Sequence, residues 1–247
     1  MSSISKLKYE NTLNKPPRMT YVLGSRCVDG VVIISDTKFT IDSGFDIGYI
    51  YDTDKITGEF TGYITAFAGK RHKFERFRSE IREFRSTQPC QISVDRLLIG
   101  MSDIMAKINR TTSDDNFELL VGISGVYFPD RRSVLRHFSI SGGYVPINSF
   151  KAIGSEPFGK VYLRYWRLGM TMNEVAELGY FIIKYIQEMQ LDNGVGEDSE
   201  HPIQIRFIPD NPTKDKIDFG LDEQTRKNFQ ERTKTRLDRI RNESFML

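Results

Sequence analysis

Few residues capable of covalent or metal chemistry lie close together in this sequence. The two cysteines, Cys27 and Cys90, are far apart and form no C-x-x-C pair, which is typical of reduced thiols in a cytosolic protein. The three histidines, His72, His137 and His201, show no spacing that would let them bind one metal ion. The sequence therefore predicts no dedicated metal site and no cofactor.

Hydroxyl, carboxylate and ammonium groups occur instead at the ends of predicted strands. Thr20 begins the first strand, and Asp36 directly follows the second. A threonine hydroxyl becomes a nucleophile only when a base takes its proton, and β-branched residues are also common in strands. Position alone therefore favours a structural role for Thr20. Lys55 is either a surface lysine beside Asp52 and Asp54 or, if it is buried, a residue that needs a carboxylate partner.

Apolar periodicity predicts the elements that would position these groups. Strands are predicted at 20–27, 31–35, 49–56, 60–67, 118–123, 134–140, 150–153 and 203–208, with turns at 29–30, 57–58, 129–130 and 142–143. Helices are predicted from residue 69 onward and at 90–109, 155–167, 173–190 and 221–243. Ser93 is a predicted N-cap, and Thr171 with Glu174 forms a predicted capping box. This order of elements favours α+β layers over alternating βαβ units.

Composition is that of one ordinary globular domain. The chain has 247 residues, of which 39% are hydrophobic and 28% charged, and its net charge is +2. So small a net charge gives no reason to expect nucleic-acid or membrane binding, although the predicted first helix is rich in basic residues. Residues 1–19 form a polar leader without the apolar run of a signal peptide, and no apolar window is long enough to span a membrane. We therefore expect a cytoplasmic protein.

A series of short segments resembles the proteasome core-particle family. TYVLG at residues 20–24 and DGVVIISD at 29–36 resemble the opening of a proteasome β subunit. Further segments follow in the same order as in the family: LLVG at 119–122, FSI and GG within 138–143, GS and PF within 154–158, and MTMNE at 170–174. Each segment is short, and the ordered series at matching spacings is what makes the resemblance specific.

The resemblance implies the fold of N-terminal nucleophile hydrolases, a four-layer αββα sandwich of two antiparallel sheets. Residues 20–220 would form this proteasome-type domain, between the leader at 1–19 and a charged C-terminal helix at 221–247. Members of this family assemble into rings. The expected partners are therefore homologous proteasome-type subunits, polypeptide substrates and an ATPase unfoldase.

The resemblance also implies a catalytic mechanism. Thr20 would be the nucleophile, and its own α-amino group, freed by removal of residues 1–19, would be the base. A free α-amine has a pKa of about 7.7–8.0, which suits a base at neutral pH. Asp36, sixteen residues after Thr20, would pair with Lys55, and this lysine would lie close to the nucleophile.

The remaining site residues also follow from the resemblance. The backbone N–H of Gly69 would form the oxyanion hole, and Ser155 and Asp192 would support the nucleophile's amine. Thr40 and Phe67 would line the substrate cleft. Each has a structural alternative: a glycine turn at Gly69, a loop turn at Asp192, and a core aromatic at Phe67.

Two functions remain open on this basis. The first is a threonine-type endopeptidase in protein catabolism, or a transpeptidase that resolves the acyl-enzyme with an amine. The second is a non-catalytic structural subunit that assembles with active paralogues. Two departures from the family pattern favour the second function: Val195 stands where a supporting serine is expected, and Met19 stands where self-processing subunits carry glycine.

Overall fold

A computed structural model describes most of the chain. The described residues are 21–42, 47–51, 55–60, 62–88, 92–111, 117–139, 141–154, 162, 164–189, 195–213, 217 and 219–244. Within these ranges no helix is both long enough and apolar enough to cross a membrane.

Strands and helices occur in groups along the chain. The strands are β1 (Tyr21–Arg26), β2 (Gly30–Ser35), β3 (Lys38–Asp42), β4 (Ile47–Tyr51), β5 (Ile56–Phe60), β6 (Tyr63–Ala68), β7 (Glu118–Ile123), β8 (Val134–Phe138), β9 (Tyr144–Ile147), β10 (Phe150–Gly154), β11 (Gln204–Pro209) and β12 (Phe219–Gly220). The helices are α1 (Arg71–Ser86), α2 (Val94–Thr111), α3 (Met172–Glu188) and α4 (Glu223–Ser244), with a short 3-10 helix at Gly125–Tyr127.

The strands form two five-stranded antiparallel sheets. The first has the order β10-β1-β2-β11-β12, and the second has the order β5-β6-β7-β8-β9. Strands β3 and β4 form a separate two-stranded ribbon. In the first sheet β1 lies between β10 and β2, with Tyr21 opposite Gly154 and Val22 opposite Ser35.

Three apolar layers hold the sandwich together. The layer between the sheets includes Val22, Val31, Ile33, Ile64, Ala66, Leu120, Leu135 and Ile208. The layer under α1 and α2 includes Phe67, Phe74, Phe77, Leu97, Met101, Met105, Leu119 and Phe138. The layer under α3 and α4 includes Tyr21, Leu23, Ile34, Val175, Ile182, Ile186, Phe207 and Phe229. The predicted four-layer αββα fold is therefore confirmed.

Both faces of each sheet are covered, which explains the apolar runs in the sequence. Ile33 of β2 faces the layer between the sheets, whereas the next residue, Ile34, faces α3. A strand that is buried on both faces needs apolar residues at every position rather than at alternate ones. Gly179 of α3 lets this helix approach the sheet closely, since a Cβ atom there would lie 2.3 Å from the Ile34 Cδ1 atom.

The predicted helix caps are confirmed. The Ser93 hydroxyl accepts a hydrogen bond from the Arg96 N–H at 3.3 Å, before the first turn of α2. At the start of α3 the Thr171 hydroxyl accepts from the Glu174 N–H at 3.3 Å, and the Glu174 carboxylate accepts from the Thr171 N–H at 2.8 Å. This reciprocal pair is the predicted capping box.

The predicted hairpin with a turn at residues 57–58 is wrong. Thr57 and Gly58 lie inside β5, and the turn before β6 is at Gly62. Gly62 has a φ angle of +77°, which glycine adopts without strain. Gly58 instead lies in an irregular part of the pairing, where the register shifts between Thr57 and Phe60. The single strand predicted at 49–56 is also wrong, because it combines the end of β4 with the first residue of β5.

The basic residues of α1 belong to a surface of mixed charge. Arg76 and Lys107 both contact the Glu80 carboxylate, at 2.8 and 2.9 Å. Arg78 pairs with Glu75 at 3.4 Å. Ion pairs of this kind are expected on a solvated helical face. Most of the helix predicted at 155–167 lies outside the described residues.

Candidate active site

A buried ion pair joins the two sheets at one end of the sandwich. Asp36 directly follows β2 of the first sheet, and Lys55 directly precedes β5 of the second. The Lys55 Nζ atom lies 2.8 Å from the Asp36 Oδ1 atom, and both side chains are fully buried. Lys55 also donates a hydrogen bond to the Lys38 carbonyl at the start of β3. Lys55 is therefore a buried, paired lysine and not a surface residue.

Within the described part of the chain, two backbone amides also donate to the Asp36 carboxylate. The Tyr21 N–H donates to Oδ1 at 3.0 Å, and the Gly196 N–H donates to Oδ2 at 3.4 Å. Burial raises the pKa of the Asp36 carboxyl above its usual value, while Lys55 and the two amides act in the opposite direction. The carboxylate thus gathers three donors that come from three distant parts of the chain.

Gly196 is a site residue that the sequence-based reasoning missed. Its N–H contacts Asp36, and its carbonyl accepts a hydrogen bond from the Thr37 N–H at 3.1 Å. The preceding residue, Val195, is 1% exposed and belongs to the apolar layer under α3. The only signal in the sequence was the closely spaced pair Gly194 and Gly196 in a predicted loop.

Gly69 lies where the second sheet gives way to a helix. It follows β6 directly and precedes the first residue of α1, Arg71, by two positions. Its φ angle is +127°, which residues with a Cβ atom rarely adopt. The backbone therefore requires glycine here, whether or not its N–H forms an oxyanion hole.

The two residues expected in the substrate cleft lie in different surroundings. Phe67 is 1% exposed and stacks on Phe74, with ring centroids 3.9 Å apart, in the layer under α1 and α2. Thr40 lies in β3 opposite Tyr49 of β4, and its side chain is outside the described part of the chain. Contact of either residue with a substrate remains a prediction.

Three predicted site residues, Thr20, Ser155 and Asp192, lie outside the described residues. Their neighbours along the chain are described. Tyr21 follows Thr20 and is the partner of Gly154, which precedes Ser155. Across the described ranges no group of three or more histidine, cysteine, aspartate or glutamate side chains could hold a metal ion.

Comparison with known proteins agrees with this architecture. A family model described as proteasome subunit matches residues 19–197, so the chain belongs to the proteasome subunit family. The solved structure of Anbu, described as an ancestral β-subunit, from Yersinia bercovieri shares 17% identity with this chain. Its TM-score is 0.70, and the match covers 92% of this chain and 97% of that one.

A second solved structure is similar to the same extent. The Anbu (Gly-1) mutant from Hyphomicrobium sp. strain MC1 is 20% identical, has a TM-score of 0.68, and is matched over 92% of this chain and 97% of its own. At such low identity the likeness to both structures shows the fold alone. A search of curated proteins found no match to this sequence.

Proposed function

We propose that this proteasome-family subunit is a threonine-type endopeptidase, with Thr20 as its nucleophile after removal of residues 1–19. The observation that carries the proposal is the fully buried Lys55–Asp36 pair and its attachment to the Tyr21 N–H. The Tyr21 nitrogen is covalently bonded to the carbonyl carbon of Thr20. One carboxylate oxygen therefore accepts hydrogen bonds both from Lys55 and from the peptide group that follows the proposed nucleophile.

Burying this ion pair would cost free energy without an evident benefit if its role were only structural. Removing two charges from water costs several kcal/mol per ion, and apolar residues of similar volume often stabilise a protein as well or better. Perturbed, buried charge pairs are enriched at functional sites for this reason, although structural pairs exist too. The complete burial of Lys55 and Asp36, in contact with the residue that follows the proposed nucleophile along the chain, supports a role in chemistry.

The proposed reaction needs a base, a positive charge and an oxyanion hole. The free α-amine of Thr20 would take the proton from the Thr20 hydroxyl, whose oxygen would attack the substrate carbonyl. The ammonium group of Lys55, held by Asp36, would stabilise the alkoxide, and the Gly69 N–H would donate to the developing oxyanion. The peptide amine would leave with a proton, and water would hydrolyse the resulting ester.

The supporting residues belong to the same proposal. Ser155 and Asp192 would orient the α-amine, and Thr40 and Phe67 would contribute to the substrate cleft. The support for Ser155 and Asp192 comes from described residues close to them along the chain: Gly154 pairs with Tyr21, and Gly196 contacts Asp36. Residues 21, 36, 154 and 196 thus meet at one end of the first sheet.

The cellular setting is proposed on the strength of family membership. We expect the chain to form rings with homologous subunits and to act on unfolded polypeptides in the cytoplasm, supplied by an ATPase unfoldase. Residues 1–19, 20–220 and 221–247 would be the leader, the catalytic domain and a charged C-terminal extension.

The test is cleavage of a fluorogenic peptide library and of an unfolded protein by the full chain. Thr20→Ala should abolish cleavage, and Lys55→Met should lower kcat by roughly 10²-fold or more, as the loss of a transition-state charge stabiliser does elsewhere. Lys107→Met, which alters an exposed lysine paired with Glu80, is the control and should have no effect. Equal activity in the wild type and in Thr20→Ala would refute the proposed nucleophile.

A non-catalytic subunit is the second candidate. Val195 favours it, because this residue is buried as core and offers no hydroxyl to the site. Met19 favours it as well, because a residue with a side chain restricts the turn that self-cleavage before Thr20 would need. This candidate predicts no cleavage by the wild type, alone or with paralogous subunits.

A further inference from the structure

We infer that the C-terminal helix α4 is a positioning element for the candidate active site, and that it acts through the carboxylate of Glu197. This inference rests on the proposed function for its kinetic consequence, but the physical coupling can be measured without any activity. Residue 197 is the last one that the proteasome family model matches, and α4 lies entirely beyond it.

The first link joins the site to residues 196 and 197. The Gly196 N–H donates to the Asp36 Oδ2 atom at 3.4 Å, and the Gly196 carbonyl accepts from the Thr37 N–H at 3.1 Å. Gly196 is thus attached at both of its backbone groups to residues 36 and 37. Any shift of Glu197, its covalent neighbour, would change the distance between the Gly196 N–H and Asp36.

The second link is the buried carboxylate of Glu197, which is 8% exposed. Its Oε1 atom accepts a hydrogen bond from the Tyr180 hydroxyl at 3.0 Å and lies 3.4 Å from the Lys184 Nζ atom. Its Oε2 atom accepts from the Ile203 N–H at 2.6 Å. Hydrogen bonds to a carboxylate are among the stronger ones in proteins, so these two bonds, with the Lys184 ammonium group nearby, fix the Glu197 side chain in place.

The third link holds the backbone of Glu197 to α3. The Gln187 side-chain amide donates to the Glu197 carbonyl at 2.8 Å, and its oxygen accepts from the Glu197 N–H at 3.3 Å. This pair of opposed hydrogen bonds fixes the direction of the chain at residue 197. Helix α3 therefore holds both the side chain and the backbone of Glu197.

The last link is α4, which contacts both residues that donate hydrogen bonds to the Glu197 carboxylate. The Arg226 guanidinium donates to the Ile203 carbonyl at 3.0 Å, and the Phe229 ring lies against the Tyr180 ring with centroids 6.2 Å apart. Phe229 is 4% exposed, so this contact is part of the core. The path thus runs from α4 through Tyr180 and Ile203 to Glu197, Gly196 and Asp36.

Hydrogen-exchange mass spectrometry of the full chain tests the coupling directly. In Glu197→Gln the side-chain NH2 group cannot accept, so at least one buried donor loses its partner. We expect the amides of Gly196 and Thr37 to exchange at least roughly tenfold faster, in keeping with the loss of a buried hydrogen-bond partner. The matched control is Glu80→Gln, which weakens the ion pairs with Arg76 and Lys107 in the layer of α1 and α2, on the other side of the sandwich from α3 and α4.

Variants that remove a single contact test the same coupling with less risk of unfolding the chain. Tyr180→Phe removes one donor to Glu197 and should speed exchange at Gly196, whereas Tyr185→Phe on the same helix should not. Arg226→Gln should act in the same direction as Tyr180→Phe, because it releases the Ile203 carbonyl. If Glu197→Gln changes exchange only at residue 203, or if Glu80→Gln has the same effect at Gly196, the coupling is refuted.

Kinetics separates this inference from the proposed function. If the chain is a peptidase, Tyr180→Phe and Arg226→Gln should lower kcat with little change in KM, because the substrate cleft is intact while the charge pair is less well positioned. Unchanged kcat in both variants of an active enzyme would overturn the positioning role. A wild-type chain without peptidase activity would refute the proposed function, and the exchange comparison alone would then decide the coupling.

Discussion

Replacing Lys55 by methionine would leave the Asp36 carboxylate buried without its cationic partner. Methionine is close to lysine in length and volume, so the change removes a charge and creates little cavity. Asp36 would keep the hydrogen bonds from Tyr21 and Gly196. Breaking a buried pair at one partner costs about 3–5 kcal/mol, and with these two amides in place we expect a loss of about 3 kcal/mol at neutral pH.

The loss of folding stability in Lys55→Met should become larger as pH rises. Burial already raises the pKa of Asp36, and Lys55 is the largest influence that opposes this rise. Without Lys55 the folded-state pKa moves further above the unfolded value of 3.8. The unfolded chain then releases its proton at a lower pH than the folded chain. Stability is therefore lost as pH rises toward the folded pKa, by at most about 1.4 kcal/mol per pH unit.

Urea unfolding of the full chain between pH 5 and 8 measures this effect at fixed protein concentration. The difference in unfolding free energy between the wild type and Lys55→Met should be smallest at the acid end and should level off once Asp36 is ionised in both proteins. The double variant Asp36→Asn, Lys55→Met removes both charges and should abolish the pH dependence and recover part of the loss, because the new NH2 group leaves one of the two backbone amides without its acceptor. Lys107→Met, at an exposed ion pair, should cost below about 1 kcal/mol at every pH. A large loss that does not change with pH would refute this reasoning.

Two further predictions concern the frame that holds the site. Gly122→Ala should destabilise the chain by about 1–3 kcal/mol through overpacking, because its Cβ atom would lie 2.3 Å from the Ile208 Cδ1 atom in the layer between the sheets. Gly143→Ala, with nothing within 4 Å of the new Cβ atom, is the control, and equal effects in urea unfolding would contradict the packing argument. Thr171→Ala removes the capping hydroxyl of α3 and should cost about 1 kcal/mol. Thr235→Ala on the exposed face of α4 should cost less, and the reverse order would contradict the cap assignment.

Much of the fold could be predicted because its layers impose simple patterns. The apolar run at β2 indicated a strand buried on both faces, and Ile33 and Ile34 indeed face different layers. The helix stripes and the capping box at Thr171 and Glu174 are local signals, which need no knowledge of distant contacts. These features depend on spacing within a few residues, and spacing is what a single sequence reports.

Turn chemistry was the less reliable signal. A Thr-Gly pair occurs at both 57–58 and 61–62, and the turn lies at the second glycine, Gly62, and not at Gly58. Gly58 is tolerated inside β5 because the strand pairing is irregular there. Glycine permits a turn without requiring one, so the correct pair depends on the register of β5 against β6.

The buried pair of the site could be predicted because it depends on side chains. Asp36 and Lys55 carry charges that must be matched, and the resemblance to the proteasome family indicated which residues to pair. Gly196 contributes only backbone groups, its N–H to Asp36 and its carbonyl to Thr37. Such contacts leave no residue-type signature, because any chain segment can supply an amide and only tertiary structure decides which one does.

The most direct test of the proposed mechanism is the intact mass of the purified chain before and after treatment with an acylating β-lactone. The threonine-nucleophile mechanism predicts a protein that begins at Thr20 and gains one acyl group, in an ester that hydroxylamine removes. Thr20→Ala should gain none, and Lys55→Met should acylate far more slowly. A wild-type mass that retains residues 1–19, or an acyl group that persists in Thr20→Ala, would contradict the threonine-nucleophile mechanism and favour a non-catalytic subunit.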